Sequence, residues 1–323
     1  MALLEIEDLT VAFGPAANAT TVVESVGFTV DAHETVALVG ESGSGKSVTA
    51  LAIMRLLQEP GRVARGAIRF EGRDLALLSE REMAAMRGNR IAMIFQEPMS
   101  SLNPLLSIGA HVAEPLRLHR GLSKRDARTR AIALLDRVGI PSAAQRYDDY
   151  PHRMSGGMRQ RVMIAAALAC DPALLIADEP TTALDVTIQA QITDLLADLQ
   201  AEFGMGVLFI THDLGVVAEQ AHRVVVMYAG RVVERAATTK LFDAAAHPYS
   251  AALLRCMPSD EEGAVDRLAV IEGSVPAPAM SLPGCRFEPR CPQAIAACRA
   301  QEPPLLSLAP GHAAACLKPL AVA

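Results

Sequence analysis

Gly40-Glu41-Ser42-Gly43-Ser44-Gly45-Lys46-Ser47 carries the pattern GxxxxGK[ST], and it stands between an apolar run, TVALVG (35–40), and a stretch of helical character from Lys46 to Leu57. Strand, glycine-rich turn and helix in that order form the context in which this pattern holds phosphate. Glycines at Gly40, Gly43 and Gly45, with Ser42 between them, let backbone N–H groups wrap phosphate oxygens. The helix N-terminus adds partial positive charge. Lys46 would supply a full charge to the β- and γ-phosphates, and the Ser47 hydroxyl suits Mg²⁺.

Further along, Leu174-Leu175-Ile176-Ala177-Asp178-Glu179 predicts a buried strand with two carboxylates at its C-terminal end, the end where α/β sheets bind ligands. Asp178 suits indirect Mg²⁺ coordination, and Glu179 suits polarising a water for attack on the γ-phosphate. Adjacent acids before Pro180 can also merely close a strand; beside the phosphate loop the chemical role is favoured. The two stretches define a phosphate-loop NTPase. Upstream of the second, Met154-Ser155-Gly156-Gly157-Met158-Arg159-Gln160-Arg161 opens a predicted helix. Small residues at a helix start make an anion site, although Ser-Gly-Gly is also an ordinary cap. Two phosphate sites on one chain suggest that the second serves a neighbouring molecule's nucleotide.

Outward from these motifs the chain alternates strand and helix signals. LEIEDLTVAF (4–13), TTVVESVGFTV (20–30), AIRFEG (67–72) and IAMIFQ (91–96) predict strands, and Ser79 with Glu82 predicts a capping box. Residues 97–155 are mostly helical, with a second box-like pattern at Ser123 and Asp126. Ile188, Ile192, Leu195, Leu196 and Leu199 mark an amphipathic helix. GVLFITHD (206–213) predicts a strand, and RVVVMYAGRVVE (223–234) two strands joined at Ala229-Gly230. Beyond Lys240 the sequence becomes rich in Pro and Cys and low in strand signals.

Composition narrows the classes. At roughly 150 residues per domain, 323 residues suggest about two domains. Hydrophobic types make up 51% and charged types 20%, enough for a large core and unlike a disordered chain. The net charge of −6 lacks the basic stripe of a nucleic-acid binder. Mean hydropathy is +0.24, yet the longest apolar stretch, 162–177, is broken by Asp171 and Pro172 and falls short of a membrane span. MALLEIEDLT lacks the basic start of a secretory signal. A soluble, intracellular protein is expected, with any membrane reached through partners.

Taken together, the motifs over residues 3–240 resemble the ATP-binding cassette (ABC) family of transporter ATPases. Ser155 to Met158 is similar to that family's signature loop, normally Leu-Ser-Gly-Gly-Gln, from which Met154 and Met158 depart. Gln96 matches the glutamine that senses Mg²⁺ and the attacking water. Ala183-Leu184-Asp185 matches the loop that crosses the dimer, His212 the switch histidine at the γ-phosphate, and Phe13 the aromatic that stacks on adenine. Gln96-Glu-Pro-Met-Ser-Ser-Leu-Asn-Pro104, the methionine form of the signature, His247-Pro248-Tyr249-Ser250-Ala-Ala-Leu-Leu254, Gly273-Ser-Val-Pro276 and Gly284-Cys285-Arg-Phe-Glu-Pro-Arg-Cys291-Pro292 resemble the oligopeptide/dipeptide/nickel importer branch.

The resemblance implies an α/β fold: a RecA-like phosphate-loop core with an N-terminal antiparallel β-subdomain, a helical subdomain at about 97–155 and a small Cys-rich C-terminal region. Residues 1–240 would form the nucleotide-binding domain and 241–323 the C-terminal region. It implies ATP hydrolysis with Mg²⁺. Lys46, Ser47, Gln96, Asp178, Glu179 and His212 would act on their own chain's nucleotide, and Ser155, Gly156, Gly157 and Asp185 on the partner's. The implied partners are a second ATPase subunit, in a heterodimer, two membrane permeases docked on the helical insert, and an extracytoplasmic solute-binding protein; nucleic acid is not expected. The implied place is the cytoplasmic face of the cell (inner) membrane, peripherally bound. Peptides are the expected cargo, with nickel or another small solute as the alternative. DNA-repair members would need a long coiled-coil insert and translation-type members two cassettes, and neither pattern is present.

Six cysteines complete the inventory. Four are clustered as Cys285-x5-Cys291-x6-Cys298-x17-Cys316. The spacing is neither that of a short zinc ribbon nor a ferredoxin run. Four thiolates suit a 4Fe–4S cluster or Zn²⁺ by count, and members of the resembled branch can carry a 4Fe–4S cluster here. That cluster is the expectation, with zinc or no metal as alternatives, and it would staple a region too small for a strong core of its own. Cys170 and Cys256 are expected to be structural.

Overall fold

The computed structural model describes residues 2–96, 101–182, 184–257, 270–277 and 282–321. The first part runs β1 (Leu4–Phe13), β2 (Thr20–Val30), β3 (Thr35–Val39), α1 (Lys46–Ile53), β4 (Gly61–Phe70), β5 (Arg73–Asp74), α2 (Glu80–Met86) and β6 (Ile91–Ile94). Three helices follow: α3 (Ile108–Arg120), α4 (Lys124–Arg137) and α5 (Ala143–Arg146). Alternation then resumes with α6 (Gly156–Leu168), β7 (Leu174–Asp178), α7 (Val186–Phe203), β8 (Gly206–Thr211), α8 (Leu214–Gln220), β9 (Arg223–Tyr228) and β10 (Arg231–Ala237). The chain ends with α9 (Thr238–Ala244), α10 (Pro248–Arg255), α11 (Ala296–Ala300), β11 (Leu306–Ala309) and β12 (His312–Ala314). Among the described residues, no helix is long and apolar enough to cross a membrane.

Two compact units are formed. One comprises residues 1–4, 30–34 and 70–210. Its sheet places β6, β7 and β8 side by side and parallel, with Ile91 opposite Leu174 and Leu174 opposite Gly206. Every residue of β7 and β8 is buried, as the unbroken apolar runs require of parallel strands covered on both faces. The helices α3 to α5 belong to this unit. They pack tightly enough that a Cβ on Gly109 would stand 2.2 Å from the Tyr147 ring.

The other unit comprises residues 5–29, 35–69 and 211–323. Within it β3 runs parallel to β9, β9 pairs antiparallel with β10, β10 with β12, and β12 with β11. A separate sheet has β1 between β2 and β4.

Local signals hold where a cap or a buried run decides the element. Ser79 and Glu82 form a full capping box on α2, and the Ser123 hydroxyl accepts the Asp126 N–H at 3.2 Å. The helix expected to reach Leu57 stops at Ile53, because Arg55 turns into the left-handed region at φ 51°. The strand expected over 91–96 ends at Ile94.

The C-terminal region departs most from expectation. It contributes two strands, β11 and β12, turned at Gly311, and they extend the β9–β10 sheet. Tyr249 and Phe287 pack on Tyr228, with the Tyr228–Tyr249 ring centroids 4.6 Å apart. Sheet extension and aromatic packing thus give this region order of their own. One buried carboxylate ties the pieces together. Glu234, wholly inaccessible on β10, accepts the N–H groups of Ala246 (2.7 Å) and His247 (2.8 Å) and faces His312 Nε2 at 2.7 Å. Glu234→Ala strands these buried partners, and we expect it to cost about 3 kcal/mol of stability in chemical denaturation; a loss below 1 kcal/mol (~) would show that the region is held by other contacts.

Candidate nucleotide-binding site

The phosphate loop leaves β3, all of whose residues are buried, and enters α1. Gly40 adopts φ +151°, and a Cβ there would stand 2.2 Å from the Met227 carbonyl oxygen. Gly45 adopts φ +99°, with a Cβ position 3.0 Å from Val23 Cγ2. A side chain at Gly40 would collide with backbone, and at Gly45 the positive φ would strain any other residue. No side chain caps α1, whereas Ser155, Asp185 and Asp213 cap α6, α7 and α8. α1 therefore starts at a glycine turn with no side-chain cap, a setting that suits an anion.

Lys46 is 5% exposed. Its ammonium donates to the carbonyls of Gly40 (2.7 Å) and Glu41 (3.1 Å) and reaches Ser44 Oγ at 3.5 Å. The cation is thus held within the loop itself. Ser42 and Gly43 are exposed, and Ser47 is half-buried. In the same unit Phe13 ends β1, half-buried, with its ring against Gly61. His212 follows β8 and is exposed.

The other unit presents the carboxylates. Asp178 is buried at the end of β7. Glu179 is next, half-buried, with φ +46°. Its Oε2 accepts the Gln96 amide and the Thr182 hydroxyl, each at 2.9 Å. Gln96 and Glu179, inferred separately, are thereby brought together. Thr182 was not singled out from sequence; a hydroxyl three residues after the acid was its signal. The Ser155 hydroxyl accepts the Met158 N–H at 3.3 Å. A Cβ on Gly157 would stand 2.7 Å from Ile188 Cγ2, and one on Gly156 3.5 Å from Leu184 Cδ2. The starts of α6 and α7 therefore abut. Asp185 is exposed and caps α7 through the Ile188 N–H at 2.9 Å. Ala183 and residues 97–100 of the Gln96–Pro104 stretch lie outside the described residues.

The expectation of a metal centre at the tail finds no support in the structure. Cys285, Cys291, Cys298 and Cys316 are free thiols that share one neighbourhood, since the other three bear electrostatically on Cys285. Among the described residues, however, no three His, Cys, Asp or Glu side chains are placed to hold a metal ion. Burial pushes the Cys285 thiol up to about 11 and raises Cys291 and Cys316 as well. The described residues therefore lend no support to a 4Fe–4S cluster or to zinc. Cys170 is buried and Cys256 half-buried.

Comparison with known proteins decides the family. The family described as "ABC transporter" matches residues 23–182, and "Oligopeptide/dipeptide transporter, C-terminal region" matches residues 233–298. A Brucella abortus (strain 2308) protein named for peptide import and ATP binding is 52% identical over 314 residues, covering 97% of this chain and 94% of its own. A second from the same organism, named likewise, is 53% identical over 327 residues, covering 98% and 97%. The chain belongs to the ABC transporter ATPases. Solved cassettes agree with the membership. The dimeric post-hydrolysis state of the ATP-binding cassette MJ0796, bound to ADP and Pi, is 29% identical with a TM-score of 0.65, covering 73% of this chain and 98% of that one. The cbiO1 protein of Clostridium perfringens, part of the ABC transporter complex cbiONQ, is 26% identical with a TM-score of 0.64, covering 75% and 91%. As an ABC ATPase, this chain hydrolyses ATP. Within its own unit, the glycine loop and its buried lysine suit the phosphates of such a substrate.

The segment behind the phosphate loop is pH-sensitive. Burial lowers the pKa of His247 from 6.5 to about 4, and its Nδ1 accepts the Tyr249 N–H at 3.0 Å, which the neutral ring alone can do. Above pH 6.5 (about) both folded and unfolded chains hold it neutral. Below that, the unfolded chain binds a proton that the folded chain refuses until about pH 4. Stability is therefore expected to fall by about 3 kcal/mol across that window. Denaturation midpoints of the protein and of His247→Asn should converge as pH drops from 7 to 4 (about); parallel profiles would rule the histidine out.

Proposed function

We propose that this chain is the ATP-hydrolysing subunit of an importer that carries di- and oligopeptides across the cell membrane. The match to the oligopeptide/dipeptide C-terminal region at residues 233–298 carries the proposal, and relatives named for peptide import support it. We take residues 1–240 as the nucleotide-binding domain and 241–323 as the C-terminal region. Two such domains, in a heterodimer with a second ATPase subunit, would close on two nucleotides and drive two permeases fed by an extracytoplasmic solute-binding protein. The subunit would sit at the cytoplasmic face of the membrane, its helical subdomain against the permeases. Leu105 and Leu118, 81% and 74% exposed, give that surface an apolar character.

In this account the chain's own residues work by position and charge, as phosphoryl transfer requires. Lys46 and the N-terminus of α1 take the phosphates, and Phe13 stacks on the adenine. Ser47, Gln96 and Asp178 hold Mg²⁺, which supplies charge to the phosphate oxygens. Glu179 polarises the attacking water, oriented by the bonds from Gln96 and Thr182. His212 senses the γ-phosphate. Ser155, Gly156, Gly157 and Asp185 serve the partner's nucleotide.

Glu179→Gln should leave ATP binding intact and reduce turnover by about 10²–10³-fold; undiminished hydrolysis would remove Glu179 from its role. Affinity capture of the full chain from solubilised membranes should bring down two multi-spanning proteins. In cells lacking the gene, uptake of labelled di- and oligopeptides should fail; loss of nickel uptake alone would overturn the peptide assignment.

A further inference from the structure

The phosphate loop contains an acid of its own. Glu41 follows Gly40 directly, and its side chain is 27% exposed. A carboxylate inside a loop that receives a polyanion repels it, unless a fixed cation neutralises the carboxylate. The C-terminal region supplies that cation. Arg290 Nη1 donates to Glu41 Oε2 at 2.6 Å and Nη2 to Oε1 at 3.0 Å, a bidentate pair. The Arg290 side chain is only 5% exposed. Its remaining donors are also taken: Nε by the Glu272 carbonyl at 2.8 Å, Nη2 by the Ile271 carbonyl at 3.0 Å, and Nη1 by the Tyr228 hydroxyl at 3.3 Å. A guanidinium has five N–H donors, and each has an acceptor here, so the group is locked in orientation.

The main chain of Glu41 is held from the same side. Its N–H donates to the Tyr249 hydroxyl at 2.9 Å, and Tyr249 is fully buried. The Glu41 carbonyl, in turn, accepts from the Lys46 ammonium at 3.1 Å. Contacts therefore run without a break from the C-terminal region, through both the backbone and the carboxylate of Glu41, to the lysine that meets phosphate. Sequence alone gave no sign of this, because Arg290 and Glu41 are 249 positions apart.

We propose that Arg290, together with Tyr249, is a positioning residue for nucleotide binding: it neutralises and fixes Glu41, so that the C-terminal region sets the affinity of the phosphate loop for ATP. This rests on the loop's being the nucleotide site. It gives the C-terminal region a task in the ATPase itself, apart from any contact with permeases.

The test uses the full chain and MgATP, with binding titrations, steady-state hydrolysis and melting temperatures measured together. Arg290→Ala leaves an uncompensated carboxylate in the loop. It should weaken MgATP binding about tenfold, raise KM more than it lowers kcat, and lose part of the defect in 0.5 M salt (about), which screens the repulsion. Glu41→Gln leaves the cation without its partner and should bind MgATP at least as tightly as the natural chain, although it melts lower. The double variant Glu41→Gln/Arg290→Ala should return to within about threefold of natural affinity. Arg290→Lys should recover only part, since a point charge cannot span both oxygens.

That order of affinities follows from charge and not from packing. If Arg290→Ala fails to fold, the opposite-signed response of Glu41→Gln and the recovery in the double variant still decide. Natural affinity in Arg290→Ala, or a double variant as weak as the single one, would overturn the proposal. Lys46→Ala should abolish binding in every background; retained binding there would instead overturn the assignment of the loop.

Discussion

A buried ammonium group sets the terms for the phosphate loop. Lys46 is almost fully enclosed, and a buried cation without hydrogen-bond partners is costly enough to reorganise or unfold its surroundings. The Gly40 and Glu41 carbonyls answer that demand. For those carbonyls to converge, the chain must turn at once on leaving β3. The turn brings Gly40 against the Met227 carbonyl, where a Cβ would collide. The pairing of β3 with β9, register Val39 opposite Val226, is what puts that carbonyl there. Glycine positions, strand order and lysine burial are thus one constraint seen from three sides.

The same constraint explains why the C-terminal region is built into this unit. β9 continues into β10, and β10 takes β12 as its next neighbour. Glu234 on β10 then gathers Ala246, His247 and His312 around one inaccessible carboxylate. With those fixed, Tyr249 and Phe287 meet Tyr228, the last residue of β9. The aromatic cluster stands directly behind the loop, and Arg290 emerges from it toward Glu41. A region that looked too small for its own core needs none, because it completes a core that already exists.

What was legible in the sequence was what depends on neighbours along the chain. TVALV and LLIAD announce buried parallel strands because both faces are covered, and Ser79 with Glu82 announces a helix start because the cap is local. The strands LSLA and HAA were not legible. They are short, rich in small residues, and become strands only because the edge of β10 is open to them. Cysteine spacing was ambiguous for a similar reason: four thiols in sequence proximity imply a count of donors, whereas ligation needs a geometry that nothing local specifies. Lys46, Asp178 and Glu179 were singled out because they stand in motifs. Thr182 offered only the weak signal of a hydroxyl three residues after the acid, and the Arg290–Glu41 pair joins segments too far apart for any window to connect.

Glu179 shows how a local rule yields at a site. A non-glycine residue at φ +46° costs of order 1–2 kcal/mol, and such conformations persist only where their surroundings over-determine them. Three bonds do so here. The Glu179 N–H is held by the Ile210 carbonyl at 2.9 Å on β8, and its carboxylate by Gln96 and Thr182. The left-handed turn breaks the alternation of the strand just after Asp178. Asp178 stays buried with the strand while Glu179 leaves it half-exposed, and adjacent carboxylates are thereby given different surroundings. The strain is the means by which one strand end offers both a sheltered acid and an accessible one.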